Sequence, residues 1–196
     1  LVILPVEIAR GKTRSVAWFV SNCQTPSKRQ NYVRELKKYI DVDVYGACGT
    51  PCAKTNGQCT KDLPVKYKFY LSFENSICTD YISEKLFKIY APDMHVIPVT
   101  RGKTPYAKYF PENTFIDAAD FSSPKQLAEH LKRLGSDLHR YSRMLEFKDQ
   151  YRCFGGLGSM WCSLCEVLNT RSIGHKTYNM KSWFGYGQCV QPRDFG

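Results

Sequence analysis

The stretch FYLSFENSICTDYISEKLF, Phe69–Phe87, carries an apolar run directly into a polar one. Phe69, Tyr70, Leu71 and Phe73 make the short continuous apolar segment of a buried strand, and KFYLSFE predicts a strand over Lys68–Glu74. From Tyr81 to about Tyr90 the spacing predicts an amphipathic helix, stopped by Pro92. Between strand and helix lie Glu74, Asn75, Ser76 and Asp80, with Tyr81, Glu84 and Lys85 in the first turns. Ligands of open α/β sheets bind beyond the carboxyl ends of the strands. A helix starting there offers unpaired N–H groups and a positive dipole end to an anion. On that helix Tyr81, Glu84 and Lys85, at i, i+3 and i+4, would share one face. Lys85 then suits a diphosphate, and Glu84, ionised beside a cation, suits a developing positive charge.

Working outward, the same strand-to-helix pattern returns. SVAWFVSN, Ser15–Asn22, reads as a first buried strand of the kind found in parallel sheets. Tyr32, Val33, Leu36, Tyr39 and Ile40 follow at helical spacing, and VDVYG, Val42–Gly46, is a second strand. Residues 47–62 read as a loop rich in Cys, Gly and Thr. After the Phe69 strand come HVIPVT, His95–Thr100, and NTFIDA, Asn113–Ala118. The helix SSPKQLAEHLKRLG has Ser at its cap, Pro in its first turn and Gly after its end. This alternation predicts an α/β fold: a Rossmann-like, mostly parallel sheet with helices on both faces. The domain plan is a lead-in over 1–14, the sheet domain over 15–150 and a cysteine-rich tail over 151–196 packed on the same domain. Arg29 stands after the first strand where Lys85 stands after the third, so two cations can converge on one diphosphate.

With 43% hydrophobic and 23% charged residues in 196, the chain is an ordinary folded protein and not a disordered one. A net charge of +10 favours an anionic partner: a nucleotide, a nucleic acid or an acidic membrane. Nine cysteines grouped in loop-rich regions point to disulfides and an oxidising compartment. No stretch is apolar enough to span a membrane. No G-x-G-x-x-G follows the first strand. GKT at Gly11–Thr13 and at Gly102–Thr104 lacks the preceding glycine of a phosphate loop, Val6 and Ile97 standing in its place. Asp41 and Asp43 alternate along a strand, so they read as strand residues and not as a metal pair. GLGSM reads as loop. Cys162 and Cys165, with Cys153 and Cys189, could hold zinc, but irregular spacing favours a disulfide staple. On the residues alone two readings stay open. One is a diphosphate site; the other is a catalytically inactive basic α/β binding module, lectin-like or nucleic-acid-binding, whose Glu84 and Lys85 are solvated. Cations placed at strand–helix junctions suit a small diphosphate better than a nucleic acid.

FYLSFENSICTDYISEK closely resembles the signature of the α1,3/α1,4-fucosyltransferases, FYL-x-FENS followed by DY, Ile or Val, and TEK. VAWFVSNC, RQNYVRELKKYIDVDVYG, VIPVT and PENTFIDAADFSSPKQLAEHLKRL resemble further family segments, from Ser15 through nearly the whole chain. Ser83 stands where the family usually has Thr, and it keeps the hydroxyl. Cys78 and the cysteines of the 47–62 loop look more like the invertebrate and plant core-type α1,3 enzymes. The resemblance implies the C-terminal, donor-binding half of a GT-B glycosyltransferase. It implies transfer of L-fucose from GDP-fucose, with inversion and an α1,3 linkage, to a GlcNAc hydroxyl of a glycoprotein glycan. It implies no required cofactor, no nucleic-acid partner, and a type II Golgi membrane protein, lumenal side, anchored upstream of Leu1. It places Ser21, Asn22, Arg29, Glu74, Asn75, Tyr81, Glu84 and Lys85 at the donor, with Arg29 and Lys85 on the diphosphate and Glu84 facing the fucosyl group. It puts the general base in an N-terminal domain.

Overall fold

A computed structural model describes residues 5–52, 57–153, 157–170, 177–184 and 187–195. Its strands are β1 (Arg14–Phe19), β2 (Val42–Tyr45), β3 (Tyr67–Phe73), β4 (Ile77–Cys78), β5 (Ile97–Arg101), β6 (Ile116–Asp117) and β7 (Cys189–Val190). Its α-helices are α1 (Pro5–Gly11), α2 (Arg29–Leu36), α3 (Gln58–Lys66), α4 (Glu84–Phe87), α5 (Pro124–Ser136), α6 (Leu138–Asp149), α7 (Leu157–Thr170) and α8 (Met180–Phe184).

The apolar runs form one parallel sheet in the order β2-β1-β3-β5-β6. Residues 67 and 69–73 of β3 are buried, as a strand covered on both faces must be. One face packs Val16, Trp18, Phe69, Leu71, Ile97 and Val99 against α1, α2, α5 and α6 through residues such as Leu36, Leu131 and Leu145. The other packs Ala17, Tyr67, Tyr70 and Val96 against Leu63 of α3 and against Ile89, on the 3₁₀ turn after α4. The strand order reverses direction at β1, which lies between β2 and β3. Such a switch point opens a crevice at the carboxyl ends of the two central strands. Those ends are the two junctions singled out in the sequence. Gly46, in the turn after β2, has φ +102°, and a side chain there would meet the Val20 carbonyl at 2.5 Å. Only glycine lets the β2 exit close on the β1 exit in this way.

Several elements depart from the pattern read in the sequence. Residues 5–11 of the lead-in form α1, whose Ala9 joins the main core. The end of the 47–62 loop is α3, which begins at Gln58. Gly135 lies inside α5, which ends at Ser136 and is capped at its start by Ser123. Of GLGSM, residues 157–160 belong to α7 and Gly156 lies outside the described residues. The tail also supplies β7, antiparallel to β4 and joined to it by the Cys78–Cys189 disulfide. Cys23–Cys48 and Cys52–Cys59 are the other disulfides among the described residues. Cys153, Cys162 and Cys165 are free thiols, so of the four cysteines considered for the staple only Cys189 is bridged, to Cys78, and Cys162 and Cys165 lie along α7.

Candidate functional site

At the β1 exit, Ser21 and Asn22 are exposed, and the corner is tied to the β2 exit by Cys23–Cys48. The chain turns into α2 through Lys28, which adopts a left-handed φ of 46°. Arg29 opens α2 but points inward and is only 2% exposed. Its Nη1 donates to the Phe73 carbonyl at 2.8 Å and its Nη2 to the Asn22 carbonyl at 3.2 Å. The guanidinium lies 5.6 Å from the Trp18 ring centroid. Burial lowers its pKa, against the pull of the charges on Glu74 and Glu84. An arginine stays protonated through such a shift. It therefore acts as a fixed positive charge at the ends of β1 and β3.

At the β3 exit the geometry differs. Glu74 is 1% exposed, and its carboxylate accepts from the Ser83 N–H at 2.8 Å and from the Ser83 hydroxyl at 2.7 Å. The Lys85 ammonium lies 2.7 Å from Ser83 Oγ, 3.4 Å from Glu74 and 3.4 Å from Glu84. The Lys85 side chain is 15% exposed and that of Glu84 79%, so charge reaches the surface here. Burial pushes the Glu84 carboxyl up, but the Lys85 charge, together with hydrogen bonds from its own backbone N–H, Lys85 and Ser83, outweighs it and the net shift is downward. Asn75 keeps its side-chain oxygen buried, without a hydrogen-bond partner among the described residues.

Tyr81 does not share a helix face with Glu84 and Lys85. The helix begins at Glu84, after Ser83 in extended backbone, and Tyr81 lies in the turn before it. The physical reason is twofold. Ser83, between Tyr81 and Glu84, has φ −110° and ψ 178°, outside helical geometry, and its N–H is bonded to Glu74. Tyr81 is instead fixed through its carbonyl, which accepts from the Thr104 hydroxyl at 3.3 Å.

Residues not singled out from the sequence join the two exits. Ser27 is fully buried; its N–H donates to the Asn75 carbonyl at 2.9 Å and its hydroxyl to the Glu74 carbonyl at 2.7 Å. Arg101, at the end of β5, donates to the Ser27 carbonyl at 3.0 Å and pairs with Asp194 at 2.6 Å. Tyr70 is fully buried with the Lys88 ammonium 4.6 Å from its ring centroid. A charged residue ending a buried strand was the visible signal for Arg101. Ser27 gave none, because its role depends on a chain segment 47 residues away. A cavity of about 890 Å³ lies apart from this site, along the β6 edge near Asp117, Phe121, His130 and Arg140.

This arrangement gathers Arg29 at the ends of β1 and β3, and Glu74, Asn75, Glu84 and Lys85 at the β3 exit, with Ser21 and Asn22 exposed at the β1 exit. Residues 9–183 match the model of the glycosyltransferase family 10 (fucosyltransferase) C-terminal domain. The chain belongs to glycosyltransferase family 10. Within that family it is 39% identical to alpha-(1,3)-fucosyltransferase C of Drosophila melanogaster, over 91% of this chain and 42% of that protein. It is 42% identical to glycoprotein 3-alpha-L-fucosyltransferase A of the same organism, over 91% of this chain and 37% of that protein. A solved α1,3-fucosyltransferase with GDP-fucose shares the fold, with a TM-score of 0.62 and 23% identity over 88% of this chain and 51% of that one. The chain thus spans about half or less of the length of these family members.

Proposed function

We propose that this chain is the donor-binding half of an α1,3-fucosyltransferase and that its crevice binds GDP-fucose. The observation that carries the reading is the pairing of Lys85 and Glu84 at the mouth of the switch point, over the buried charge of Arg29. Its support is family membership together with the names of the relatives.

In this reading Lys85 meets the diphosphate directly, and Arg29 adds positive potential from behind the crevice. Both offset the charge that grows on the β-phosphate as the bond between fucose and GDP breaks. The anomeric carbon becomes oxocarbenium-like, and Glu84, already ionised, faces that charge. A GlcNAc hydroxyl attacks from the opposite side and forms the new bond, which inverts the anomeric centre. Its proton passes to a general base that we assign to a part of the protein outside this chain. Asn75 and Tyr81 line the donor, with Ser21 and Asn22 at its edge, and we assign no metal to the step. Three disulfides suit an oxidising lumen, consistent with a Golgi protein held by a membrane anchor elsewhere in the protein.

Calorimetry tests the binding half: the folded chain should bind GDP and GDP-fucose and should bind UDP less well. A folded chain that gives no heat with GDP overturns the reading. Transfer of labelled fucose to a GlcNAc-bearing glycopeptide by the intact protein tests the reaction.

A further inference from the structure

Ser83 stands at the N-cap of α4, yet its side chain makes no capping bond. A capping serine accepts from an N–H two or three residues further on. Here the hydroxyl lies 2.7 Å from one Glu74 carboxylate oxygen and 3.0 Å from the other. It also lies 2.7 Å from Lys85 Nζ. An ionised carboxylate can only accept and an ammonium can only donate. The hydroxyl proton must therefore point at Glu74, and its lone pair must receive Lys85. The direction of the chain is fixed: ammonium to hydroxyl to carboxylate.

Lysine is a point charge on a flexible stem with rotatable donors. The Ser83 hydroxyl and the Glu74 carboxylate engage it from the buried side, and the side chain remains 15% exposed. We propose that Ser83 is a positioning residue: with Glu74 it holds the Lys85 ammonium where the diphosphate of the donor binds. Glu74 thereby orients the site from beneath and does not itself touch the ligand. The inference rests on the reading of Lys85 as a diphosphate ligand. Ser83 also ties its turn to β3, but through its backbone N–H, at 2.8 Å from Glu74. Removing the hydroxyl leaves that tie in place, so the positioning role can be separated from the structural one.

The test is calorimetry of GDP and GMP with the intact protein, comparing wild type, Ser83→Ala, Ser83→Thr, Lys85→Ala and the Ser83→Ala/Lys85→Ala pair. Loss of a hydrogen bond to a charged group should weaken GDP about tenfold in Ser83→Ala. GMP should stay within about twofold, and Ser83→Thr should return GDP to within about twofold of wild type. Adding Ser83→Ala to Lys85→Ala should cost nothing further, because the two act through one contact. The inference is overturned if Ser83→Ala leaves GDP unchanged, weakens GDP and GMP alike, or is not rescued by threonine. If Ser83→Ala fails to fold, Ser83→Cys replaces it, with the same GDP-selective loss expected and the same outcomes against it. A folded wild type that binds no GDP removes the diphosphate reading itself. Wild-type binding with an unaffected Ser83→Ala removes only the positioning role.

Discussion

The two strand exits place a cation in the same topological position and use it differently. Each follows a buried parallel strand, and each turns through a non-glycine residue with positive φ, Lys28 after β1 and Asp80 after β3. Arg29 is sealed: two of its nitrogens hold the Phe73 and Asn22 carbonyls, and its third, Nε, is buried without a hydrogen-bond partner among the described residues. Lys85 is held from below by Ser83 and Glu74 and keeps a face toward solvent. The planar arginine fork suits fixed, divided hydrogen bonding, whereas an ammonium can be held on one side and offered on the other. In the proposed reading, one cation builds the site and contributes its field, and the other meets the diphosphate.

This division predicts opposite signatures for the two residues. The largest effect belongs to Arg29→Ala, which strips the Phe73 and Asn22 carbonyls of their donor. Stability should fall by about 3 kcal/mol. In a chain of this size that is a drop of roughly 6–12 °C in Tm, measurable by scanning calorimetry. Arg29→Lys should recover only part of it, because one ammonium on a flexible stem reproduces the fork poorly. Lys85→Ala should behave in reverse. GDP affinity should fall by about 100-fold, or ~2.7 kcal/mol, with little change in Tm. If Lys85→Ala melts the protein while Arg29→Ala only weakens GDP, the contrast between builder and ligand-binder is wrong.

Much of the fold beneath this contrast is legible in the sequence, whereas the contrast itself is not, for a physical reason. Strands buried on both faces announce themselves as continuous apolar runs, so β1, β3 and β5 stood out. Ser123 and Pro124 marked the start of α5 by local chemistry. Glu74, Asn75, Glu84 and Lys85 could be placed together because they flank one exit. Helix α3 was hidden, since its first residues continue the Cys- and Gly-bearing segment that reads as loop, and Pro64 lies inside it. Strand β7 has no local signature at all: its two residues pair with Ile77 and Cys78, more than a hundred positions earlier. The inward turn of Arg29 depends on carbonyls supplied by two separate strand exits, and local periodicity carries no such information. The Tyr81 expectation fails because the helix expected from Tyr81 starts only at Glu84, after Ser83 in extended backbone.

Glu84 sharpens the comparison with the smallest effect. Its carboxylate is exposed beside Lys85, so it adds little to stability and nothing to the fixed frame around Arg29. Glu84→Gln should leave Tm unchanged and keep GDP affinity within about twofold, while kcat of the intact protein falls about tenfold. The pH dependence follows from the direction of its shift. Although burial opposes it, the Lys85 charge and the hydrogen bonds from its own backbone N–H, Lys85 and Ser83 together bring the carboxyl below its ordinary value, so protonation in the folded protein is delayed on acidification. Any contribution of the ionised form is then complete above the ordinary glutamate value of about 4.3 and is lost only as pH falls through the lower, folded-state value. The ratio of wild-type to Glu84→Gln turnover should therefore stay constant from neutral pH to about 5. A ratio that already shrinks between pH 7 and pH 5 would mean that Glu84 is not held ionised by Lys85. The exposed exit would then lack the carboxylate–ammonium pairing that sets it apart from the sealed one.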